Sequence, residues 1–155
     1  MYRLLRLPTL VLTLLLAQGC TPTQWLTGTY TTTEDLTRTL AWKHPVAQNY
    51  RPDPETLAEF AAVDSFEAVV LLSSWCHDSE REVPRFLALA PKLPLRVREY
   101  VLLDTTRTVP AGYKAQYGVR ATPTFVFFRD GRELGRIVER PTGRLEAHIL
   151  QLVRP

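Results

Sequence analysis

Cysteine is scarce in this sequence of 155 residues, which contains only two, Cys20 and Cys76. Two cysteines form at most one disulfide bond, so a small fold held together by several bridges is excluded. The chain also lacks a run of Lys and Arg, and its formal net charge of +3 falls to +1 without Arg3 and Arg6. Nucleic-acid binding draws on many clustered phosphate contacts, so we expect no nucleic-acid partner.

The first apolar stretch of the sequence, residues 7–16, is too short to cross a membrane. Ten helical residues rise about 15 Å, which is half of the roughly 30 Å of a hydrocarbon core. Arg3 and Arg6 precede this stretch, and mostly small residues follow it at 17–19. A basic region, an apolar run and a small-residue cleavage site are typical of a secretory signal peptide, which we predict for residues 1–19.

The sequence LAQGC at residues 16–20 resembles the bacterial lipobox, in which the cysteine receives a diacylglycerol and becomes the mature N-terminus. The resemblance implies that a lipid on Cys20 holds the protein at the extracytoplasmic side of a cell membrane or outer membrane. Gln18 is a less usual residue within this pattern, and ordinary cleavage beside an unmodified cysteine is the alternative. A lipid thioether leaves Cys20 no thiol for disulfide chemistry.

A threonine-rich segment follows, with nine threonines among the nineteen residues 21–39. It has little apolar periodicity, so we predict a tether and N-terminal extension over residues 20–49. A short helix after Thr33 is allowed within it, because Thr33 is a suitable N-cap and two acidic residues follow. The folded domain is predicted for residues 50–155.

The strands and helices of this domain are predicted from apolar spacing. Apolar runs without alternation predict buried strands at 68–72, 100–103 and 125–128, and the turn Asp130-Gly131 leads to a fourth strand at 133–138. Helical spacing predicts helices from Pro54, over 79–90, over 110–117 and after Thr142 as a cap. Parallel crossovers followed by a hairpin imply an α/β fold, with a mixed sheet and helices on both faces.

Cys76 stands at the junction between the first of these strands and the helix that follows it. A cysteine at a helix N-terminus meets unpaired backbone N–H groups and the positive end of the helix dipole, which favour thiolate over thiol. This position favours a nucleophilic thiol over a buried, inert one. A metal site formed by Cys76, His77 and Asp78 is not expected, since adjacent helical residues point apart and no second Cys/His cluster exists. No cofactor is expected.

Two motifs in register with the predicted strand order resemble thioredoxin. The sequence WCHDS at residues 75–79 lies at the strand-to-helix junction, and YGVRATPT at residues 117–124 leads into the third strand. The resemblance implies the thioredoxin fold, with Cys76 as the attacking cysteine and Trp75 as the ring that flanks it. From the residues alone, Trp75 is equally a core residue.

The resemblance also implies where a substrate lies. It places Trp75, His77, Thr122 and Pro123 around an extended substrate segment, with Pro123 as a cis-proline and the backbone before it pairing with the substrate. A cis X-Pro bond is only about 0.5–1 kcal/mol less stable than trans, so packing is able to hold it. From the residues alone, Pro123 is equally the start of a strand.

Two departures from thioredoxin change the expected chemistry. Ser79 replaces the resolving cysteine, and Val70 replaces the buried acid six residues before Cys76. Ser79 cannot attack a mixed disulfide, although its hydroxyl could hydrogen-bond a Cys76 thiolate. Cys76 is therefore expected to stall as a mixed disulfide until an outside thiol releases it, either the substrate's own cysteine or a small thiol.

Two functions are compatible with the sequence. The first is a membrane-anchored, monomeric protein that exchanges disulfides with cysteines of extracytoplasmic proteins or with small thiols through Cys76. The second is a non-catalytic binding module, in which the groove beside Pro123 holds a peptide or protein partner. The same fold supports both, since a fold does not determine a function.

Overall fold

A mixed sheet forms the centre of the molecule. The computed structural model describes residues 25–40, 42 and 49–154. Within this part of the chain, five strands form one sheet in the order β1-β3-β2-β4-β5. The strands are β1 (Gly28–Tyr30), β2 (Phe66–Leu72), β3 (Leu95–Leu102), β4 (Thr124–Arg129) and β5 (Arg132–Val138). The predicted signal peptide and Cys20 lie outside the described residues.

Helices connect and cover these strands. They are α1 (Thr33–Leu40), α2 (Pro54–Glu59), α3 (His77–Leu89), α4 (Tyr113–Tyr117) and α5 (Leu145–Val153), with 3₁₀ turns at Phe60–Ala62 and Ala90–Lys92. Among the described residues, no helix combines the length and apolar character that a membrane crossing needs.

The pairing of the strands follows from their connections. β2 and β3 are parallel because α3 carries the chain back between them, whereas β4 is antiparallel to both β2 and β5. The turn from β4 to β5 uses Asp130 and Gly131, both with positive φ, at 51° and 76°. This arrangement confirms the predicted α/β class and the mixed sheet of a thioredoxin fold.

The alternation of side chains along β2 divides the core into two layers. Ala68, Val70 and Leu72 face a large apolar cluster that contains residues of α1, α3 and α5. Val69 and Leu71 face a smaller cluster on the other side, which includes Tyr117 of α4. Helices therefore lie on both faces of the sheet, and β2 is buried on both.

Part of the segment predicted as a tether is built into the domain. β1 pairs antiparallel with β3, and Gly28 lies opposite Leu102 in this register. Leu36 of α1 is fully buried in the larger core cluster. The predicted helix after Thr33 is present. The strand β1 was not predicted, because it forms through backbone hydrogen bonds to β3, which is distant in sequence.

The last helix begins later than predicted. Thr142 does not cap it, since α5 begins at Leu145 with Arg144 at the N-cap position. The Thr142 N–H instead donates to Nδ1 of His148 at 2.9 Å. Gly143 between them has a φ of 76°, which is incompatible with a right-handed helix. The helix predicted from residue 110 likewise begins only at Tyr113.

A buried carboxylate joins α5 to the chain before α2. Glu146 is fully buried and accepts hydrogen bonds from the Tyr50 hydroxyl, from the Asp53 N–H at 2.7 Å and from Arg144 Nε at 2.6 Å. Burial acts to raise the pKa of Glu146, but these hydrogen bonds outweigh it and hold the pKa below its ordinary value. Burial and the contact with Glu146 together raise the pKa of Tyr50.

Candidate functional site

Cys76 occupies the N-cap position of α3, directly beyond the carboxyl end of the central strand β2. Its backbone is extended, with φ −86° and ψ 119°. Its N–H donates to the carbonyl of Ser73 at 3.2 Å, and its own carbonyl accepts the Glu80 N–H at 3.0 Å to begin the helix. The thiol is partly exposed. The strand-to-helix junction therefore presents this sulfur at the surface, as the sequence predicts.

The sulfur of Cys76 faces the loop before β4. Its thiol donates to the carbonyl oxygen of Thr122 at 2.9 Å, and the sulfur does not cap the first turn of α3. The Thr122–Pro123 peptide bond is cis, as the resemblance implies. The Pro123 carbonyl accepts the Glu139 N–H at 2.7 Å, so the end of β5 holds this loop in place. The structure thus brings Cys76, Thr122 and Pro123 together.

Ser79 lies in the first turn of α3 and is fully buried. Its hydroxyl oxygen accepts the Ser73 N–H at 3.3 Å. No hydrogen bond between Ser79 and Cys76 is present in the described part of the chain. In this state Ser79 therefore fixes the turn that leads from β2 to Cys76, and the sulfur has the Thr122 carbonyl as its partner.

Trp75 lies at the rim of the site between two other side chains. Its ring meets the ring of Trp25 edge-on at a centroid distance of 6.4 Å. On another side, the guanidinium carbon of Arg107 lies 5.9 Å from the Trp75 ring centroid. Trp75 belongs to neither core cluster, which favours the flanking position over the alternative of a core residue.

The two residues after Cys76 differ in exposure. The His77 side chain is 79% exposed, and its Nδ1 lies 3.7 Å from Glu80 Oε2. The Asp78 side chain is only 18% exposed and forms ion pairs with Arg81 at 2.7 Å and Arg140 at 3.0 Å. These guanidinium groups offset the negative charge of Asp78 near the sulfur. Among the described residues, no group of three or more His, Cys, Asp or Glu side chains is able to hold a metal ion.

Buried polar atoms without partners concentrate around Cys76. In the described residues, six buried side-chain atoms lack a hydrogen-bond partner, and four of them belong to this site. They are Ser73 Oγ, Trp75 Nε1, Arg107 Nε and Thr122 Oγ1. Unpartnered buried polar groups cost free energy, so their clustering marks a place where a ligand would supply the missing partners.

Sequence reasoning did not single out Ser73 or Arg107. A topological signal exists for both, because Ser73 follows β2 and Arg107 lies in the loop after β3. The carboxyl ends of parallel strands meet at one edge of a sheet, so residues after β2 and β3 are expected to be neighbours. That argument needs the parallel pairing, which the apolar runs alone do not establish.

Asp104 organises the loop that carries Arg107. Its carboxylate accepts the Thr108 N–H at 2.7 Å, the Val109 N–H at 3.0 Å and the Thr106 hydroxyl at 2.6 Å. The hydrogen bond from Thr106, followed by those from the backbone, lowers the pKa of Asp104 to about 2. Asp104 is therefore ionised at neutral pH, and it fixes the loop that places Arg107 over Trp75.

Comparisons with known proteins identify the family. Residues 29–150 match a family model described as thioredoxin. Thioredoxin H-type 1 of Nicotiana tabacum is 32% identical over 83 residues, which are 54% of this chain and 63% of that protein. Thioredoxin H5 of Oryza sativa subsp. japonica is 30% identical over 100 residues, 64% of this chain and 71% of that protein. The chain belongs to the thioredoxin family.

A solved structure is similar at lower sequence identity. Oxidised thioredoxin O2 of Arabidopsis thaliana is 21% identical, with a TM-score of 0.46, over 64% of this chain and 85% of that one. The chain covers less than two thirds of the tobacco protein's length. The family match begins at Thr29 and so includes most of β1, within the segment predicted as a tether.

Proposed function

We propose that this protein carries out monothiol thiol–disulfide exchange with protein cysteines through Cys76. One observation carries the proposal: a partly exposed thiol lies at the N-terminus of α3, 2.9 Å from the carbonyl that precedes cis-Pro123. The named relatives are thioredoxins, and thiol–disulfide exchange is the chemistry that their name implies. Cys76 is the free cysteine of the described residues, and Ser79 supplies no second thiol.

The exchange takes two displacements. In the first, the Cys76 thiolate attacks one sulfur of a substrate disulfide, the substrate S–S bond breaks, and the other substrate sulfur leaves as a thiolate that takes up a proton. In the second, a thiolate of the substrate or of a small thiol attacks the substrate sulfur of the mixed disulfide and releases Cys76. When the attacking thiolate belongs to another cysteine of the substrate, a rearranged substrate disulfide forms, which is isomerisation. When it belongs to a small thiol, the substrate keeps a mixed disulfide with that thiol, and a second small thiol displaces the first, which leaves the substrate reduced and the two small thiols joined by a disulfide.

The exchange proposal is tested by capturing proteins that form a disulfide bond with the full chain. Wild-type protein and the Cys76→Ser variant are expressed in a bacterium that processes the signal peptide, and free thiols are blocked with acid and an alkylating agent. Diagonal electrophoresis is expected to show disulfide-linked partners for the wild type and none for Cys76→Ser. Ser79→Cys is the second variant, because a restored second thiol is expected to shorten the life of the mixed disulfide.

A second function is favoured by one specific observation. The Cys76 thiol donates to the Thr122 carbonyl, so the sulfur already has a hydrogen-bond partner within the chain. A site whose thiol stays in this hydrogen bond would bind a partner without exchanging disulfides. Alkylation of Cys76 no faster than that of an unstructured thiol at pH 7, with no trapped partners, would support this binding module and overturn the exchange proposal.

We also propose that Cys20 carries a lipid anchor at the extracytoplasmic side of a cell membrane or outer membrane. The proposal is supported by the resemblance of residues 16–20 to a lipobox and by the basic, apolar and small-residue order before it. The Cys20→Ala variant is expected to lose lipid labelling and to leave the membrane fraction, with Cys76→Ala as the matched control that keeps both. Unchanged fractionation of Cys20→Ala would contradict the anchor.

A further inference from the structure

An apolar groove lies beside the Cys76 site. It has a volume of about 600 Å³ and lies between the loop after β3, α4 and the chain that leads to β4. Its lining includes Thr108, Ala111, Lys114, Ala115, Val119 and Arg120. Apolar walls with a few charged groups are typical of a site that binds an apolar side chain and fixes its orientation.

Two short stretches of chain connect this groove to the reactive sulfur. Arg120 precedes Thr122 by two residues, a span of at most about 7 Å, and the Thr122 carbonyl accepts the Cys76 thiol. On the other side, Thr108 follows Arg107, whose guanidinium lies over Trp75. An extended segment whose cysteine is bonded to Cys76 is therefore able to reach the groove with its neighbouring residues.

The cations that border this groove lack carboxylate partners, in contrast to most others in the described residues. Glu67 pairs with both Arg96 and Arg98, and Glu133 pairs with Arg136. Among the described residues, no carboxylate lies within 4.0 Å of Lys114 and Arg120, the two cations that line the groove, or of Arg107, which directly precedes Thr108 of its lining.

In the described part of the chain, the nearby acidic groups form no ion pair with these cations. Asp104 is occupied by backbone N–H groups and the Thr106 hydroxyl, and Glu99 accepts the Tyr113 hydroxyl at 2.8 Å. Within the part of the chain that the structure describes, the hydrogen-bond partner of Lys114 is the Thr106 carbonyl, at 3.3 Å. The groove therefore joins an apolar surface to cations that form no ion pair among the described residues, and such cations complement a negatively charged ligand.

We infer that the polypeptide captured by Cys76 carries an apolar side chain and an acidic side chain next to its cysteine, and that the groove binds both. This inference rests on the proposed exchange function and names its substrate class. The apolar residue lies against Ala111, Ala115 and Val119, and the carboxylate pairs with Lys114 or Arg120. A small anionic thiol satisfies the charges but leaves the apolar wall exposed, so a peptide segment is the better fit.

The unpartnered donors at the rim point to the same ligand chemistry. Trp75 Nε1 and Arg107 Nε are both buried N–H donors without acceptors. A bound segment with backbone carbonyls and a carboxylate supplies acceptors, whereas a basic segment would add positive charge beside Arg107. Selection thus combines attraction of acidic segments with repulsion of basic ones.

The test compares two matched peptides. Each has one cysteine activated as a mixed disulfide with thionitrobenzoate, the same flanking leucine, and either Glu or Lys residues beyond it. Attack by Cys76 forms the protein–peptide disulfide and releases coloured thionitrobenzoate, which reports the rate. The Glu peptide is expected to react about tenfold faster than the Lys peptide at low salt, and added salt is expected to reduce the difference.

Charge reversal locates the effect. The double variant Lys114→Glu with Arg120→Glu is expected to abolish or invert the peptide preference. The matched control is Lys92→Glu with Arg132→Glu. These two cations also have no carboxylate within 4.0 Å among the described residues, but they lie at the end of the sheet where β2 begins. The control is expected to keep the preference. Equal rates for both peptides, or equal effects of both double variants, would overturn the inference.

Two further measurements separate the inference from the proposed function. The mixed disulfide of glutathione with thionitrobenzoate is the small anionic disulfide with the same leaving group, and a rate equal to that of the Glu peptide would overturn the assignment to a polypeptide. Calorimetry also measures the affinity of the Cys76→Ser variant for two cysteine-free peptides, one with Glu and one with Lys residues. The Glu peptide is expected to bind more tightly, although no disulfide exchange takes place. A preference there with an unreactive Cys76 in the wild type would support the groove and contradict the exchange function.

Discussion

The polar groups around Glu146 and those around Cys76 are both buried, but they differ in how they are hydrogen bonded. Glu146 has the Tyr50 hydroxyl, the Asp53 N–H and Arg144 as donors. Around Cys76, Ser73 Oγ and Thr122 Oγ1 have no hydrogen-bond partner among the described residues. The first cluster is complete within the chain, whereas the second has hydrogen-bonding capacity left over.

This difference separates a structural role from a functional one. A buried carboxylate with several donors ties two parts of the chain together, because removing it leaves each donor unpaired. Buried hydroxyls without partners cost free energy in the folded protein and gain hydrogen bonds only when something else binds. The cluster around Glu146 is therefore expected to control stability, and the cluster around Cys76 to control binding and exchange.

The largest effect is expected from Glu146→Ala, which breaks the complete cluster. It leaves the Tyr50 hydroxyl and the Asp53 N–H without an acceptor and is expected to lower the free energy of unfolding by about 2–3 kcal/mol. Urea unfolding followed by far-UV circular dichroism measures it. Glu55→Ala, at an exposed position of α2, is the control and is expected to change stability by less than about 0.5 kcal/mol. Equal losses in both variants would contradict a special role for Glu146.

The dependence of stability on acidic pH is a second test of the structural role of Glu146. The folded state lowers the pKa of Glu146 from its ordinary value of 4.5, so its contribution is complete above that pH. It is lost as the pH falls through the lowered pKa, because the unfolded chain then binds more protons. Glu146→Gln is expected to show a flatter dependence below pH 4.5 than the wild type, by at most about 1.4 kcal/mol per pH unit. Parallel curves would show that Glu146 is not responsible.

The smallest effect is expected at the incomplete cluster. Thr122→Val removes a buried hydroxyl that has no partner and keeps the shape of the side chain, so stability is expected to stay the same or rise by up to about 1 kcal/mol. Thr124→Val is the matched control, since the Thr124 hydroxyl donates to the Ala121 carbonyl at 2.7 Å. That variant is expected to lose about 1 kcal/mol. Comparable losses for both would mean that the Thr122 hydroxyl is satisfied in solution.

Much of the fold was predictable because burial leaves a simple pattern in the strands. β2 has five consecutive apolar residues at 68–72, all fully buried, and such a run without alternation predicts a strand covered on both faces. β1 carries no such pattern, because Gly28–Tyr30 lies in a threonine-rich segment and forms a strand only through pairing with β3. Local sequence does not specify a distant partner.

The site was predictable in part. The position of Cys76 follows from the strand and the helix on either side of it. The proximity of Thr122 came from the resemblance to thioredoxin, because local sequence patterns do not show that two residues 46 positions apart are in contact. Glu146 was missed although a signal existed. It precedes Ile149, Leu150 and Val153 by three, four and seven residues, which places it on the buried face of α5.

The position of β2 between β3 and β4 has a consequence for the timescale on which the site moves. Amide hydrogens in a doubly covered central strand exchange with solvent only when the whole domain unfolds, whereas those of surface loops exchange through local opening at lower free energy. Cys76 is attached to that slow strand, and Arg107 belongs to the loop after β3. Slow exchange at Val70 and faster exchange at Arg107 would mean that the reactive sulfur stays in place while one wall of its groove adjusts to each partner.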